Sequence, residues 1–284
     1  MDKPLLIVGM HRSGTTLLAR ILDKIGVFMG RDLDQNHESK FFQQLNRWIF
    51  RQLGGRWDNP PDFDQLWSSE EVWRLMRDYL NYRIDSYEMV KYAGLKRYFK
   101  LRGMFGNSIN GWGWKDPRNV FTLPVWLSVF PKAKIIYIER HGVDVANSLN
   151  NRSKRLLEER KQIIRNPSKF NRSRKEYVNV TDSIRCFTLE GAFSLWEEYI
   201  ESGRNNIKQT KDTELLQIRY EDLLLNADKW VKTISEFVKK EIDYKTVINI
   251  SDSIKSNRAF AYKKKPELKK FAHQVSDRLN KYNV

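Results

Sequence analysis

Leu5-Leu6-Ile7-Val8 is an unbroken apolar run, the pattern of a parallel strand buried on both faces. A loop bounded by Gly9 and Gly14 follows. From Thr15 to Gly26 the apolar residues fall at Leu17, Leu18, Ile21, Leu22 and Ile25, a helical spacing. The same alternation returns downstream. Lys134-Ile135-Ile136-Tyr137-Ile138-Glu139-Arg140 reads as a second buried strand that ends in charge, and Glu214-Leu215-Leu216-Gln217-Ile218-Arg219-Tyr220 as a third. Gly111-Trp112-Gly113-Trp114-Lys115-Asp116-Pro117-Arg118 reads as a short strand or loop.

Between these lie helical patterns. Residues 38–53 place Phe41, Leu45, Trp48, Ile49 and Leu53 at core spacing, and Trp57-Asp58-Asn59-Pro60-Pro61 breaks the chain. Ser69 is a good N-cap with Glu70 and Glu71 in the first turn. The helix it opens carries Val72, Leu75, Met76, Tyr79, Leu80 and Ile84 as its apolar stripe and is expected to end near Gly94. Further helices are expected over 119–130, from Val143, and over 183–207, 228–240 and 243–250. Between Lys154 and Lys175 there are nine Lys or Arg residues and no strong core pattern, which reads as a solvated, partly helical excursion. Strands alternating with helices predict an α/β fold: a P-loop-like, doubly wound parallel sheet flanked by helices, with helical insertions on the substrate side. One domain is expected over residues 1–284. Right-handed crossovers put the loops after the strands at one sheet edge, so Arg12, Arg140 and Tyr220 should converge.

The composition adds sign and class. The chain has 284 residues and a net charge of +16, which favours an anionic partner: nucleotide, nucleic acid, acidic glycan or membrane surface. No helix-turn-helix or RNA-binding signature supports specific nucleic-acid binding. The lone Cys186 excludes an intramolecular disulfide framework, and four scattered histidines disfavour a zinc site. No run approaches the length of apolar residues that spans a bilayer, and the protein is expected to be cytoplasmic.

The first loop nearly spells the phosphate-binding pattern G-x-x-x-x-G-K-[ST]. Gly9 and Gly14 have the spacing and Thr16 supplies the hydroxyl, but Thr15 stands where the lysine belongs. The cation is Arg12 instead. Ordinary ATP or GTP chemistry needs that lysine on the β- and γ-phosphates, so the loop is an anion cradle of another kind. A P-loop kinase or NTPase with a displaced cation is the alternative.

Arg12-Ser13-Gly14-Thr15-Thr16 resembles the 5′-phosphosulfate loop of sulfotransferases that use 3′-phosphoadenylyl sulfate (PAPS). Cytosolic members have Lys-Ser-Gly-Thr-Thr; the Arg form is similar to tyrosylprotein sulfotransferases and many bacterial relatives. The resemblance implies that Arg12, Ser13, Gly14, Thr15, Thr16 and Leu17 hold the donor's phosphosulfate. Arg140 and Ser148, eight residues apart, resemble the family's 3′-phosphate pair. Lys115, in a Lys-Asp-Pro sequence, corresponds to a lysine on the transferring sulfuryl group, with Asp116 orienting the loop or pairing with Arg118. Arg219-Tyr220-Glu221-Asp222-Leu223 resembles a segment whose tyrosine lies near the adenine, so Tyr220 is expected to stack on the base. Arg258 is expected to close over the 3′-phosphate, although the cytosolic family's C-terminal Arg-Lys-Gly motif is absent. Glu38, by analogy, is the candidate general base, with His37 its rival; Glu38 could equally sit in the first turn of the 38–53 helix. The implied reaction is direct in-line sulfuryl transfer to an acceptor hydroxyl or amine, without a metal. The acceptor, whether small molecule, glycan or lipid, would meet walls containing Trp48, Trp57, Trp67 and Trp73.

Overall fold

The N-terminal apolar run becomes the strand Leu5–Val8 (β1), all four residues buried, in a computed structural model that describes residues 3–101, 111–165, 180–210 and 213–283. The chain folds as two compact units. One is Met1–Arg140 with Tyr199–Ala259; the other is His141–Glu198 with Phe260–Val284.

In the first unit, β1 leads to the helices Thr15–Lys24 (α1), Lys40–Gln52 (α2), Asp64–Trp67 (α3), Glu70–Asp85 (α4), Met89–Ala93 (α5) and Leu95–Leu101 (α6). The strand Gly113–Lys115 (β2), the helix Asn119–Val129 (α7) and the strand Lys134–Glu139 (β3) follow. The helix Gly142–Arg165 (α8) belongs to the second unit, and Leu189–Lys208 (α9) carries residues of both. The first unit resumes with the strand Leu215–Arg219 (β4) and the helices Tyr220–Leu225 (α10), Ala227–Phe237 (α11) and Tyr244–Asp252 (α12), then a 3-10 turn, Ser256–Arg258. The second unit closes with Pro266–Gln274 (α13) and Ser276–Lys281 (α14).

The described strands form one parallel sheet in the order β2-β1-β3-β4. Leu6 stands opposite Trp114 on one side and Ile135 on the other, and Ile136 stands opposite Leu216. Parallel strands put all their C-terminal ends on one edge, where ligands of such sheets bind. This is the α/β sheet that the alternation of patterns predicts.

Alternate residues of β1 serve different layers. Leu5 and Ile7 join Leu18, Leu22, Ile218, Val231, Ile234 and Ile250 in one apolar cluster. The register gives Leu6 the neighbour Trp114, which belongs to an aromatic layer. Phe42 of α2 stacks on Trp114 with centroids 3.9 Å apart and planes 3° from parallel. Trp126 of α7 meets Trp114 edge-on at 5.0 Å. Gly113 allows β2 to approach β1, because a Cβ there would collide with the Leu5 carbonyl.

Buried polar groups in this layer are satisfied among themselves. Asn46 Nδ2 donates to Asn119 Oδ1 at 2.9 Å, while Thr122 Oγ1 and Trp126 Nε1 both donate to Asn46 Oδ1 at 2.8 Å. Asn119 Nδ2 donates to the Ile7 carbonyl at 3.1 Å, which ties α7 to β1. Pro124 lies inside α7 and leaves the carbonyl four residues back without its helical donor. Asn206 Nδ2 supplies the replacement, donating to the Val120 oxygen at 2.7 Å.

Several expectations change. The helix opened by Ser69 stops at Asp85, and α5 is a separate short helix that ends before Gly94. Val72 and Leu75 are 50% and 61% exposed; the buried stripe of α4 is Met76, Leu80 and Ile84. Glu38 stands before α2, whose N-cap is Ser39, and so is outside the helix's first turn. The basic stretch is helical to Arg165, and residues 166–175 lie outside the described residues. In the second unit, the Asp144 carboxylate accepts from the Ala261 and Tyr262 amides at 3.1 and 2.8 Å, and the His141 ring stacks on Tyr262. Among the described residues, no helix is long and apolar enough to cross a membrane.

Phe42→Ala removes the ring that covers Trp114 and should cost about 3–5 kcal/mol of stability, the usual range for a buried aromatic. Chemical denaturation checks this; a loss under ~1 kcal/mol would mean that the aromatic layer does not hold α2 to the sheet.

Candidate active site

The loop after β1 turns on two left-handed residues, Arg12 (φ 69°) and Gly14 (φ 97°). Gly14 is the N-cap of α1 and makes no side-chain cap. The first turn of a helix presents backbone N–H groups with no intrahelical partner, a natural anion seat. Only glycine fits at position 14: a Cβ would run into the Tyr220 ring. Tyr220, at the end of β4, is 5% exposed and braces the loop from below.

Arg140, just past β3, joins three parts of the edge. Its Nη1 donates to the Arg12 carbonyl at 3.1 Å and its Nη2 to the Arg258 carbonyl at 3.4 Å. Its guanidinium lies 4.6 Å over the Tyr220 ring. Arg12, Arg140 and Tyr220 therefore converge, as the topology predicts. The cleft above them has a volume of about 430 Å³. Its walls include the 14–17 turn and five cations, Arg12, Arg20, Arg140, Lys255 and Arg258; no carboxylate is among the described lining residues. Ser13 is buried beside the cleft. Ser148 lies in α8, in the second unit.

The other candidate residues meet next to the loop. Lys115 ends β2, and its Nζ donates to Glu38 Oε1 at 2.8 Å and to the Asn36 carbonyl at 3.0 Å. Thr16 Oγ1 donates to the same carbonyl at 3.1 Å. One backbone oxygen thus links α1, the 34–38 turn and β2. Two aspartates shape that turn. Asp34 accepts from the Asn36 and Glu38 amides at 2.8 and 2.9 Å, and Asp32 accepts from Ser39 Oγ and the Phe41 amide at 2.8 and 2.7 Å.

Glu38 and Lys115 are 4% and 2% exposed. Burial pushes the Glu38 carboxyl above the usual range, against the pull of Lys115; Asp116 pushes it the same way. Asp116 is held by Arg118 Nη1 at 2.9 Å, one of the two roles expected for it. His37 sits at φ 58°, and burial, then Arg20, lowers its pKa. Of the tryptophans expected on the acceptor side, Trp48 lies tilted over Tyr79 at 4.3 Å. Trp57 meets His11 edge-on at 4.7 Å and Trp73 is half-buried. The Trp67 side chain lies outside what the structure describes.

Arg20, Lys255 and Gln43 join the site without belonging to any of the motifs. Arg20 follows Thr16 by one helical turn, a spacing that places both on one face of α1. Lys255 precedes Arg258 by three residues. Gln43 carries no such signal, because its partner Glu38 stands outside the helix.

The family model of the sulfotransferase family matches residues 4–244, and the chain belongs to that family. Among solved structures, the sulfotransferase domain of the curacin biosynthetic pathway is similar with a TM-score of 0.53 at 16% identity, over 97% of this chain and 98% of that one. A mouse sulfotransferase complexed with PAP gives 0.45 at 15% identity, over 92% and 65%. A Mycobacterium avium sulfotransferase gives 0.43 at 15% identity, over 88% and 67%. No curated protein matches the chain. The first likeness shows a shared fold, and the family assignment makes the chain a sulfuryl-transfer enzyme.

Lys115→Met strands a buried carboxylate and should cost roughly 3–5 kcal/mol. Adding Glu38→Gln should recover part of that loss. Glu38 has a raised pKa in the native state, so native protein keeps a proton that unfolded chain has released. Stability contributed by Glu38 is present below the ordinary carboxylate pKa and is lost as pH rises through the raised value. Urea unfolding across pH should show that fall in the wild type and not in Glu38→Gln; parallel curves would contradict it.

Proposed function

We propose that the chain transfers a sulfuryl group from PAPS to an acceptor hydroxyl or amine by direct in-line displacement. The observation that carries this reading is the five-cation cleft, with no carboxylate among its described lining residues, beside a buried Lys–Glu pair. A nucleotide with phosphates at both ends suits such a lining; a neutral ligand would leave its charges unbalanced.

Arg12 and the amides of residues 14–16 receive the phosphosulfate, with Thr15, Thr16 and Leu17 in the first helical turn and Ser13 holding the loop through its amide hydrogen bond to the Met10 carbonyl. Arg140 takes the 3′-phosphate, and Arg258 adds charge at the same wall. The assignment of Ser148 to that phosphate rests on the motif alone. Tyr220 lines the cleft while its ring also carries Gly14 and the Arg140 guanidinium, and the placement of the adenine against it rests on the motif alone. The reading keeps the single domain over 1–284 and the cytoplasmic placement expected from the sequence.

Glu38 is the base. Burial raises its pKa above the usual carboxylate range, which makes it a stronger proton acceptor than an exposed carboxylate. The acceptor oxygen bonds to sulfur while the bond from sulfur to the bridging phosphate oxygen breaks. The acceptor proton passes to Glu38. The charge left on the bridging oxygen falls to Arg12 and Lys115, positioned before the reaction starts. His37 is half-buried with a lowered pKa and remains the alternative base; loss of transfer in His37→Ala but not in Glu38→Gln would favour it.

The test is thermal unfolding with 3′-phosphoadenosine 5′-phosphate. At a hundredfold excess over its Kd, a ligand adds about 2.7 kcal/mol, which should raise the Tm by roughly 5 °C or more. Arg12→Ala and Arg140→Ala should each remove most of that rise. No rise in the wild type, or a larger one with magnesium-ATP, would replace this reading with a P-loop kinase or NTPase.

A further inference from the structure

The two oxygens of the Glu38 carboxylate are held by different residues. Lys115 Nζ donates to Oε1 and Gln43 Nε2 donates to Oε2, each at 2.8 Å. Gln43 is half-buried in the first turns of α2. A glutamine amide can face either way, and its hydrogen-bond network decides the orientation. Here Arg47, one turn further along α2, donates from Nη2 to Gln43 Oε1 at 2.7 Å. A guanidinium only donates, so Oε1 must face Arg47 and the amide N–H must face Glu38.

We infer that Gln43 is the positioning residue for Glu38, fixed in its donating orientation by Arg47. The inference rests on the reading of Glu38 as the base. In that reading Lys115 serves the leaving oxygen during transfer, so its hold on Oε1 slackens as the charge develops. Gln43 keeps the carboxylate from rotating at that moment. Its contact also survives the proton transfer: the acceptor's proton goes to Oε1, and Oε2 still accepts from the amide. The other charged or titratable groups that act on or around Glu38 are Lys115, Asp116, Arg118, Arg47 and Tyr199. Among the described residues, Gln43 is the uncharged side chain that donates to it.

A donor to the ionised form lowers a carboxyl's pKa. Gln43→Met keeps the shape and removes the donor. Carbon-13 carboxyl NMR of the full chain, with the Glu38 signal identified by its loss in Glu38→Gln, should show Glu38 titrating roughly one pH unit higher in Gln43→Met. Arg47→Met, an exposed site, should shift it upward by less, because the amide is then free to turn. The thermal shift given by 3′-phosphoadenosine 5′-phosphate should match the wild type in both variants. An unchanged Glu38 titration in Gln43→Met, or in Arg47→Met if the first does not fold, overturns the inference. A wild type that shows no nucleotide shift removes the proposed function and leaves the titration result standing.

Discussion

The buried contact between Lys115 and Glu38 ties together the strand end, the turn and the loop at the sheet edge. Removing two charges from water costs more than their attraction usually returns. An apolar pair at the end of β2 would pack as well, so stability alone does not explain the pair. What it does is fix two charged groups of opposite sign at the sheet edge, within reach of the phosphate-type loop. The Asn36 carbonyl, shared by Lys115 and Thr16, makes the loop, the turn and the strand one unit. A displacement of any of them would disturb the others.

Around that pair the electrostatics are one-sided. Arg12, Arg20, Arg140, Lys255 and Arg258 line the cleft, five like charges whose mutual repulsion an anion would relieve. Gly14 lies on the Tyr220 ring where no side chain fits, and Arg140 spans Arg12, Arg258 and that same ring. In the proposed in-line transfer such preorganisation matters, because the charge to be neutralised would appear only as the bond to sulfur breaks.

Much of this is legible in the residues. Continuous apolar runs mark the strands to within a residue or two, and Arg12, Arg140 and Tyr220 meet where strand ends must meet. Lys115 is marked by its Lys-Asp-Pro setting. The misses have physical causes. The helix α4 carries the buried positions Met76, Leu80 and Ile84 beside the exposed Val72 and Leu75, and periodicity alone does not separate the two sets. Glu38 fits a helical first turn by pattern, yet Ser39 beside it is the stronger N-cap and sets the boundary. The contacts of the Tyr220 ring with Gly14 and Arg140, far away in sequence, are announced by no local pattern. Gln43 acts through a turn shaped by Asp32 and Asp34, which no local pattern announces.

The central claim is that Lys115 and Glu38 serve sulfuryl transfer rather than structure. The direct measurement is transfer of radiolabelled sulfur from PAPS to a panel of phenols, alcohols and amines, by wild type and by folded Glu38→Gln. The wild type should give a labelled product from at least one acceptor, and the variant a rate lower by roughly a hundredfold or more. Transfer undiminished in Glu38→Gln, or no labelled product from any acceptor although the nucleotide binds, would contradict it.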